Sequence, residues 1–181
     1  MLKCPWAYLS PEMEAYHDKE WGKPLYDERA LFELLCLEQL QAGLSWQTIL
    51  KKRPAFRKAL ANFEVAKLAN FDESDLAQLL ANPALIRNRR KLEAILTNAR
   101  LIYDQQLSLA KLCWAYVDEK PLINHWHSSE QVPAQTDLAS QMAKDLKQVG
   151  FKFVGPTTIY SFMQASGMVN DHLESCPCKE A

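Results

Sequence analysis

Nearly the whole chain carries the hydrophobic repeat of an amphipathic α-helix. In the stretch KLEAILTNARLIY, apolar residues recur at three- and four-residue intervals and fall on one stripe: Leu92, Ile95, Leu96, Ala99 and Ile102. The alternating pattern of a half-buried β-strand is hard to find anywhere. A chain of 181 residues can form one domain with a sizeable core or two closely packed lobes. We therefore expect an all-α fold.

Polar residues and prolines mark the boundaries of the first helices. Ser10 is followed by Pro11, Asp27 precedes LFELLCLEQLQAG, and Ser45 precedes WQTILKKR. Side chains of Ser and Asp at such positions accept hydrogen bonds from the free N–H groups of the first helical turn. Pro54 is predicted to interrupt the third helix, because proline lacks the N–H that an interior position requires.

The second half of the chain contains further helical patterns and one irregular stretch. Residues 108–117 and 137–149 are predicted to be helices. Residues 118–136, DEKPLINHWHSSEQVPAQT, have no clear period and are expected to form a long surface connection.

Composition excludes several classes of protein. No apolar run approaches the roughly 20 residues that span a bilayer, and Cys4, Pro5 and Trp6 are followed by acidic residues rather than by the apolar run of a signal peptide. We expect a cytoplasmic protein with no membrane contact. Nothing in the sequence requires a partner chain, so a monomer is expected.

Basic residues are concentrated in the middle of the chain. Residues 51–100 carry 11 Lys/Arg against 5 Asp/Glu, although the net charge of the whole chain is −1. The clusters are KKRPAFRK at 51–58 and RNRRK at 87–91. Either cluster alone is typical of a solvated helix face, whereas two clusters flanking one stretch indicate a surface that faces phosphates.

The stretch QVGFKFVGPTTIYSFMQASG has the outline of a helix-hairpin-helix. A helix ends at Gly150, the chain turns at Val154 and Gly155, and Pro156 starts the next helix. Such a turn exposes backbone N–H groups beside a helix N-terminus, which suits a phosphate oxygen. An ordinary short connection between two helices remains the alternative. The nearby Lys152 favours a hairpin that binds phosphate.

Glu38 lies on the apolar face of its predicted helix, and several aromatic residues accompany it. It follows Leu31, Leu34 and Leu35 at helical spacing, and a buried glutamate usually has a partner. The aromatic residues of the same region are Trp6, Tyr16, Trp21 and Trp46. These aromatic residues either pack in the core or enclose a binding site for a flat cationic heterocycle. In such a site, the rings stack on the faces of the heterocycle and the carboxylate binds its edge.

Cysteine and histidine residues near both ends could form a metal site. The five cysteines, at positions 4, 36, 113, 176 and 178, show no dense spacing and favour core packing or metal ligation over disulfides. His172 and Cys176 lie four residues apart, with Cys4 and His17 as candidate partners at the other end. Two Cys and two His would close a tetrahedral zinc site, but isolated residues without a joint role are the alternative.

Several motifs together resemble the 3-methyladenine DNA glycosylase I family. They occur in the order MLKCPW, YHDKEWG, LFELLCLEQLQAGLSWQTILKKR, IRNRRKLEAILTNAR and GFKFVGPTTIYSFMQASGMVNDH. The resemblance covers residues 1 to about 178. It implies an all-α helix-hairpin-helix glycosylase fold with a zinc-binding lobe that joins the N- and C-termini, at about 1–30 and 165–181, and a helical DNA-binding core at about 31–164. Together these segments form a single domain of residues 1–181.

The resemblance also implies the site residues. One structural zinc per chain would be held by Cys4, His17, His172 and Cys176. The base pocket would consist of Trp6, Tyr16, Trp21, Glu38 and Trp46. Double-stranded alkylated DNA would be bound by Gly43, Leu44, Lys52, Arg53, Lys152 and Gly155, with Leu44 as a wedge into the space that the extruded base leaves.

The implied reaction is hydrolysis of the N-glycosidic bond of N3-methylated adenine. Many helix-hairpin-helix glycosylases carry a catalytic aspartate soon after the hairpin, but here no acidic residue follows Gly155 before Asp171. The catalytic contribution of Glu38 is therefore predicted to be recognition and electrostatic stabilisation of a base that is already cationic. The alternatives are a glycosylase of the same fold for other alkylated purines and a non-catalytic, zinc-containing module that binds damaged DNA.

Overall fold

The computed structural model describes residues 2–180, so Met1 and Ala181, the ends of the predicted domain, lie outside the described residues. The described chain is mostly helical, which confirms the predicted all-α class. Its α-helices are α1 (Pro11–Lys19), α2 (Glu28–Gln41), α3 (Trp46–Ala59), α4 (Val65–Leu68), α5 (Glu73–Ala81), α6 (Arg89–Asp104), α7 (Leu109–Trp114), α8 (Asp137–Val149) and α9 (Pro156–Ala165). Among residues 2–180 the helices are too short or too polar to cross a lipid bilayer.

The three predicted N-caps are confirmed. The side chain of Ser10 accepts a hydrogen bond from the backbone N–H of Met13, at 3.3 Å. Asp27 caps α2 in the same way, and the Ser45 hydroxyl accepts from Thr48 at the start of α3. These caps satisfy N–H groups that have no partner within the helix.

The predicted break at Pro54 is wrong, because α3 continues through Pro54 to Ala59. An interior proline costs about 3 kcal/mol, but contacts with other elements hold the following turn. Phe56 is fully buried, and the Glu33 carboxylate of α2 binds Arg53 at 2.6 Å and Arg57 at 2.8 Å. These contacts offset the missing hydrogen bond.

Helix α2 lies in the centre of the core. Every residue from 31 to 40 is buried, and α2 packs against α3, α6, α7 and α9. The predicted apolar stripe of α6 is buried as well. Glu38 therefore lies in the interior, on a helix whose position is fixed by contacts with four other helices.

Helices α8 and α9 form the predicted hairpin. Gly150 ends α8 with a φ of 121°, a left-handed conformation that side chains disfavour. Phe151 and Val154 are buried and anchor the turn, and Gly155 precedes Pro156 at the start of α9. The hairpin places α9 beside α2, so that one face of α9 reaches the site described below.

Residues 118–136 differ from their prediction. Many of them are exposed, as expected of a surface connection, but they are also paired with the C-terminal segment. Strand β1 (Leu122–Ile123) runs parallel to β2 (Val169–Asn170), and Trp126 forms a further parallel bridge with Leu173. The backbone hydrogen bonds of this irregular stretch are thus satisfied by the C-terminal segment rather than by water alone.

Candidate active site and metal centre

A cavity of about 550 Å³ lies where the N-terminal segment, α2, α3 and α9 meet. It is lined by all five predicted base-pocket residues, namely Trp6, Tyr16, Trp21, Glu38 and Trp46. A largely apolar cavity of this size with a few polar groups is typical of a small-molecule site. The structure therefore brings together residues that are up to 40 positions apart in the sequence.

The aromatic rings of the cavity contact one another at angles. Trp6 and Trp21 meet edge to face, with centroids 5.0 Å apart, and Tyr16 and Trp46 are tilted at 5.2 Å. The Tyr16 hydroxyl and the Trp46 indole nitrogen are buried and have no hydrogen-bond partner within residues 2–180. Burial also raises the pKa of Tyr16, so its hydroxyl stays protonated. Buried donors without partners in a cavity wall are suited to binding a polar ligand.

Glu38 is the unpartnered acid of this cavity. It is 4% exposed, and no hydrogen bond to its carboxylate is found among the described residues. Burial raises its pKa from 4.5 to about 8, because a charged carboxylate in this apolar enclosure has lost its water. Burial therefore favours the neutral form of Glu38. A cationic ligand would restore the charged form, since an adjacent positive charge favours ionisation.

Asp171 is a second buried acid in the cavity wall, with no predicted role. Its Oδ1 accepts from the Asn124 amide and the Trp126 indole, both at 2.7 Å, and its Oδ2 accepts from Tyr160 and Gln164. No local pattern could identify it, because its four partners come from two other parts of the chain. The cavity thus contains one fully hydrogen-bonded carboxylate, Asp171, and one, Glu38, that has no hydrogen-bond partner within residues 2–180.

Cys4, His17, His172 and Cys176 form a buried cluster, with their ligand atoms all within 4.8 Å of one another. The Cys176 sulfur lies 3.4 Å from His17 Nε2 and 3.5 Å from His172 Nδ1, and the Cys4 sulfur lies 3.6 Å from His172 Nδ1. These distances suit four ligands around one metal ion.

The second nitrogen of each histidine has a partner outside the cluster. His17 Nδ1 lies 2.8 Å from the Asp18 carboxylate, and His172 Nε2 lies 3.2 Å from the Trp21 carbonyl oxygen. If His17 Nδ1 and His172 Nε2 carry the ring protons, the lone pairs of His17 Nε2 and His172 Nδ1 face the cysteine sulfurs. Metal-binding histidines have this arrangement. Burial lowers the pKa of His172 to about 4, which keeps the ring neutral as a ligand must be.

The cluster also supports the cavity wall. The His172 ring packs edge-on against Trp21 at 4.6 Å, and His17 packs against Trp6 at 5.0 Å. Cys178 lies outside the four, with its sulfur 3.9 Å from His17 Nδ1. Residues that hold a metal here would therefore also hold two tryptophans of the cavity.

The predicted DNA-binding residues near α3 have different environments. Gly43, with a φ of 80°, and the exposed Leu44 form the turn between α2 and α3. Lys52 donates to the Ala84 carbonyl at 2.9 Å. Arg53 is mostly buried and binds the carboxylates of Glu33 and Glu20. Its contacts therefore support a structural role rather than a free phosphate ligand.

The other predicted contacts are the hairpin and residues 87–91. The Lys152 side chain is exposed, while its backbone is fixed by Asn98 and Gln39. Lys91, in contrast, is buried and donates to the Leu40 and Ala42 carbonyls at the end of α2. The prediction that the whole 87–91 cluster faces phosphate is therefore wrong for Lys91, because the end of α2 requires donors for its last carbonyls.

The fold and site define a helical protein with an enclosed aromatic pocket for a small ligand. The chain belongs to the methyladenine glycosylase family, whose model matches residues 6–180. This confirms the resemblance found in the sequence.

Three similar proteins agree with this assignment. DNA-3-methyladenine glycosylase of Haemophilus influenzae is 43% identical over 180 residues, which cover 98% of this chain and 97% of that protein. A crystal structure of 3-methyladenine DNA glycosylase I superposes with a TM-score of 0.94 at 45% identity, covering 98% of this chain and 99% of the other. A tyrosine-to-phenylalanine variant of such an enzyme, in complex with 3-methyladenine, also has a TM-score of 0.94, at 42% identity with 99% and 98% of the two chains covered.

Proposed function

We propose that this protein is a DNA-3-methyladenine glycosylase of base-excision repair. It extrudes N3-methylated adenine from alkylated DNA and hydrolyses the N-glycosidic bond, leaving an abasic site. The observation that carries the proposal is the unpartnered Glu38 inside an aromatic cavity of a chain that belongs to the methyladenine glycosylase family.

The pocket selects the lesion by its charge. Methylation at N3 makes the base in DNA cationic, whereas normal adenine is neutral. Tryptophan and tyrosine faces attract a cation, and its charge shifts Glu38 towards the carboxylate form that accepts hydrogen bonds from the base edge. The free Tyr16 hydroxyl and Trp46 N–H offer further polar contacts. A neutral base would bind through the hydrogen bonds of its edge alone, without the attraction of a charge to the rings and to Glu38.

The charge of the base also simplifies the chemistry. A cationic purine leaves without prior protonation, so a strong general acid is unnecessary. As the glycosidic bond breaks, positive charge passes from the base to the sugar. A carboxylate at the base edge therefore acts mainly in recognition and orientation, with an electrostatic contribution to the reaction.

The buried Cys/His cluster is proposed to hold one structural zinc. Zinc–sulfur bonds of about 2.3 Å and zinc–nitrogen bonds of about 2.0–2.1 Å at tetrahedral angles separate sulfur and nitrogen ligands by about 3.5 Å. The sulfur–nitrogen distances of 3.4, 3.5 and 3.6 Å fit this geometry. Four protein ligands would leave no position for water, so zinc would supply stability by joining the two terminal segments, 1–30 and 165–181, into one lobe beside the core at 31–164.

DNA binding is proposed to combine a wedge with backbone contacts. Leu44, presented by the Gly43 turn, enters the space left by the extruded base. Lys52, Lys152 and the α9 N-terminus at Gly155 hold phosphates of the duplex. We propose a monomer, because one chain carries the complete pocket, and we propose that it acts in the cytoplasm, because its substrate is DNA.

The phosphate contacts predict different outcomes for two neighbouring residues. Lys52→Ala is expected to weaken binding to all duplexes alike and to reduce the salt slope by about one. Arg53→Ala is expected to lower the melting temperature instead, because the buried Glu33 loses a partner. Lys67→Ala, outside the predicted contact segments, is the control. Salt-dependent binding isotherms and thermal melts measure both effects, and an unchanged slope for Lys52→Ala would assign that lysine to the solvated surface.

A substrate panel under single-turnover conditions separates the proposed function from its alternatives. Duplexes containing 3-methyladenine, 7-methylguanine or no lesion are incubated with excess protein, and released bases are separated chromatographically. We expect release of 3-methyladenine and abasic sites. Comparable release of 7-methylguanine would indicate the broader glycosylase, and tight binding without release would indicate a damage-binding module.

A further inference from the structure

The irregular stretch of residues 122–134, here called the wall segment, forms one side of the base cavity. Ser129, Val132, Pro133 and Ala134 line the cavity together with the aromatic residues. These four side chains are small or rigid, and three of them are apolar. The wall segment therefore limits the space for the base by shape rather than by hydrogen bonding.

Among residues 2–180, the backbone hydrogen bonds that attach the wall segment to the C-terminal segment all lie in its first half. Leu122 N–H donates to the Met168 carbonyl, Asn124 N–H to Asn170, and the Trp126 carbonyl accepts from Glu174 N–H at 2.9 Å. Between Trp126 and the cavity residues, the chain turns through a short 3-10 helix at Ser129–Gln131. The cavity-lining half is held by this first half and by the packing of Val132 against Cys4, Leu173 and Cys176.

Asp171 fixes that first half to the rest of the cavity. Its carboxylate joins Asn124 and Trp126 of the wall segment to Tyr160 and Gln164 of α9, and it is 2% exposed. The amide nitrogens of Asn124 and Gln164 and the indole nitrogen of Trp126 can only donate hydrogen bonds. The Asp171 carboxylate accepts from all three. Losing one donor would leave a buried acceptor incompletely satisfied.

We propose that the wall segment sets the size limit for the alkylated base and that Asp171 is the positioning residue that holds it through Asn124 and Trp126. This inference rests on the proposed function, since it concerns which bases the 3-methyladenine pocket admits. A firmly held wall accepts a methyl group at N3 and excludes a longer alkyl group. If the wall segment is held less firmly, it moves to make room for the longer alkyl group. The protein then discriminates less between 3-methyladenine and 3-ethyladenine.

The test compares release of 3-methyladenine and 3-ethyladenine from alkylated duplex DNA under single-turnover conditions. Trp126→Phe keeps an aromatic ring but removes the indole N–H donor, and Asn124→Ala removes the amide. Val132→Ala widens the wall directly without altering the Asp171 contacts. The control is His125→Ala, because His125 lies in the same segment but faces solvent and binds Glu174. The ratio of the two rates is independent of the fraction of folded protein, so a purely structural role would leave it unchanged.

We expect the ratio of 3-methyladenine to 3-ethyladenine release to fall roughly tenfold in Trp126→Phe, Asn124→Ala and Val132→Ala, the effect of about one methylene in a pocket. The ratio of His125→Ala should equal that of the wild type. Unchanged ratios in all three variants would overturn the inference even if their melting temperatures fell. Wild-type protein that releases neither base would refute the proposed function, and the inference with it.

Discussion

Cys176→Ser is expected to remove the metal from the protein and to lower its melting temperature by more than about 10 °C. Structural zinc contributes folding free energy directly, and a serine hydroxyl is a poor replacement for a thiolate. Burial raises the pKa of the Cys4 thiol to about 12, so a bound cation is needed to hold Cys4 as a thiolate. In a chain of this length, each kcal/mol lost shifts the melting temperature by about 2–4 °C.

Metal analysis after chelator-free purification, combined with thermal melts, measures both effects. The matched control is Cys178→Ser, two residues away, whose sulfur lies outside the four ligands. It should retain one zinc per chain and the wild-type melting temperature. Wild-type protein without stoichiometric zinc would refute the metal site, and equal zinc loss in both variants would refute the choice of ligands.

Glu38→Gln is expected to weaken binding of free 3-methyladenine by about 1–3 kcal/mol, the usual effect of losing one charged hydrogen-bonding partner. Base excision should slow but persist, because the substrate still carries its own charge. Glu38→Ala should cost more, since it also leaves a void. Trp46→Ala should impair both binding and excision through lost stacking.

Calorimetric titration with 3-methyladenine and single-turnover excision measure these effects. Glu64→Gln, which removes an equal charge from the surface, should behave as the wild type. Wild-type binding and excision by Glu38→Gln would mean that the pocket is wrongly assigned. Complete loss of excision with normal binding of the free base would instead make Glu38 the catalytic base.

Local features of the structure could be predicted from the sequence. The caps Ser10, Asp27 and Ser45 act within four residues of their partners, and the α6 stripe depends only on helical spacing. Pro54 was misjudged because the contacts that hold its helix come from Glu33 on α2. Tertiary contacts of this kind override a local signal.

The site was predictable only in part, for the same physical reason. Periodicity placed Glu38 on a buried face, but the pairing of Cys4 and His17 with His172 and Cys176 came from the family resemblance. Asp171 was missed because its partners, at positions 124–126 and 160–164, meet only in the folded chain.

The pH dependence of kcat/KM for excision of 3-methyladenine tests most directly whether Glu38 is the counter-charge of the cationic base. Burial raises the pKa of Glu38 to about 8, so its proton must leave before it can pair with a cation. Because kcat/KM reports ionisations of the free enzyme, the wild-type value should rise with pH up to about 8 and then level off. Glu38→Gln should lack this rise. A wild-type value that falls over this range, or an equal rise in both proteins, would contradict the account.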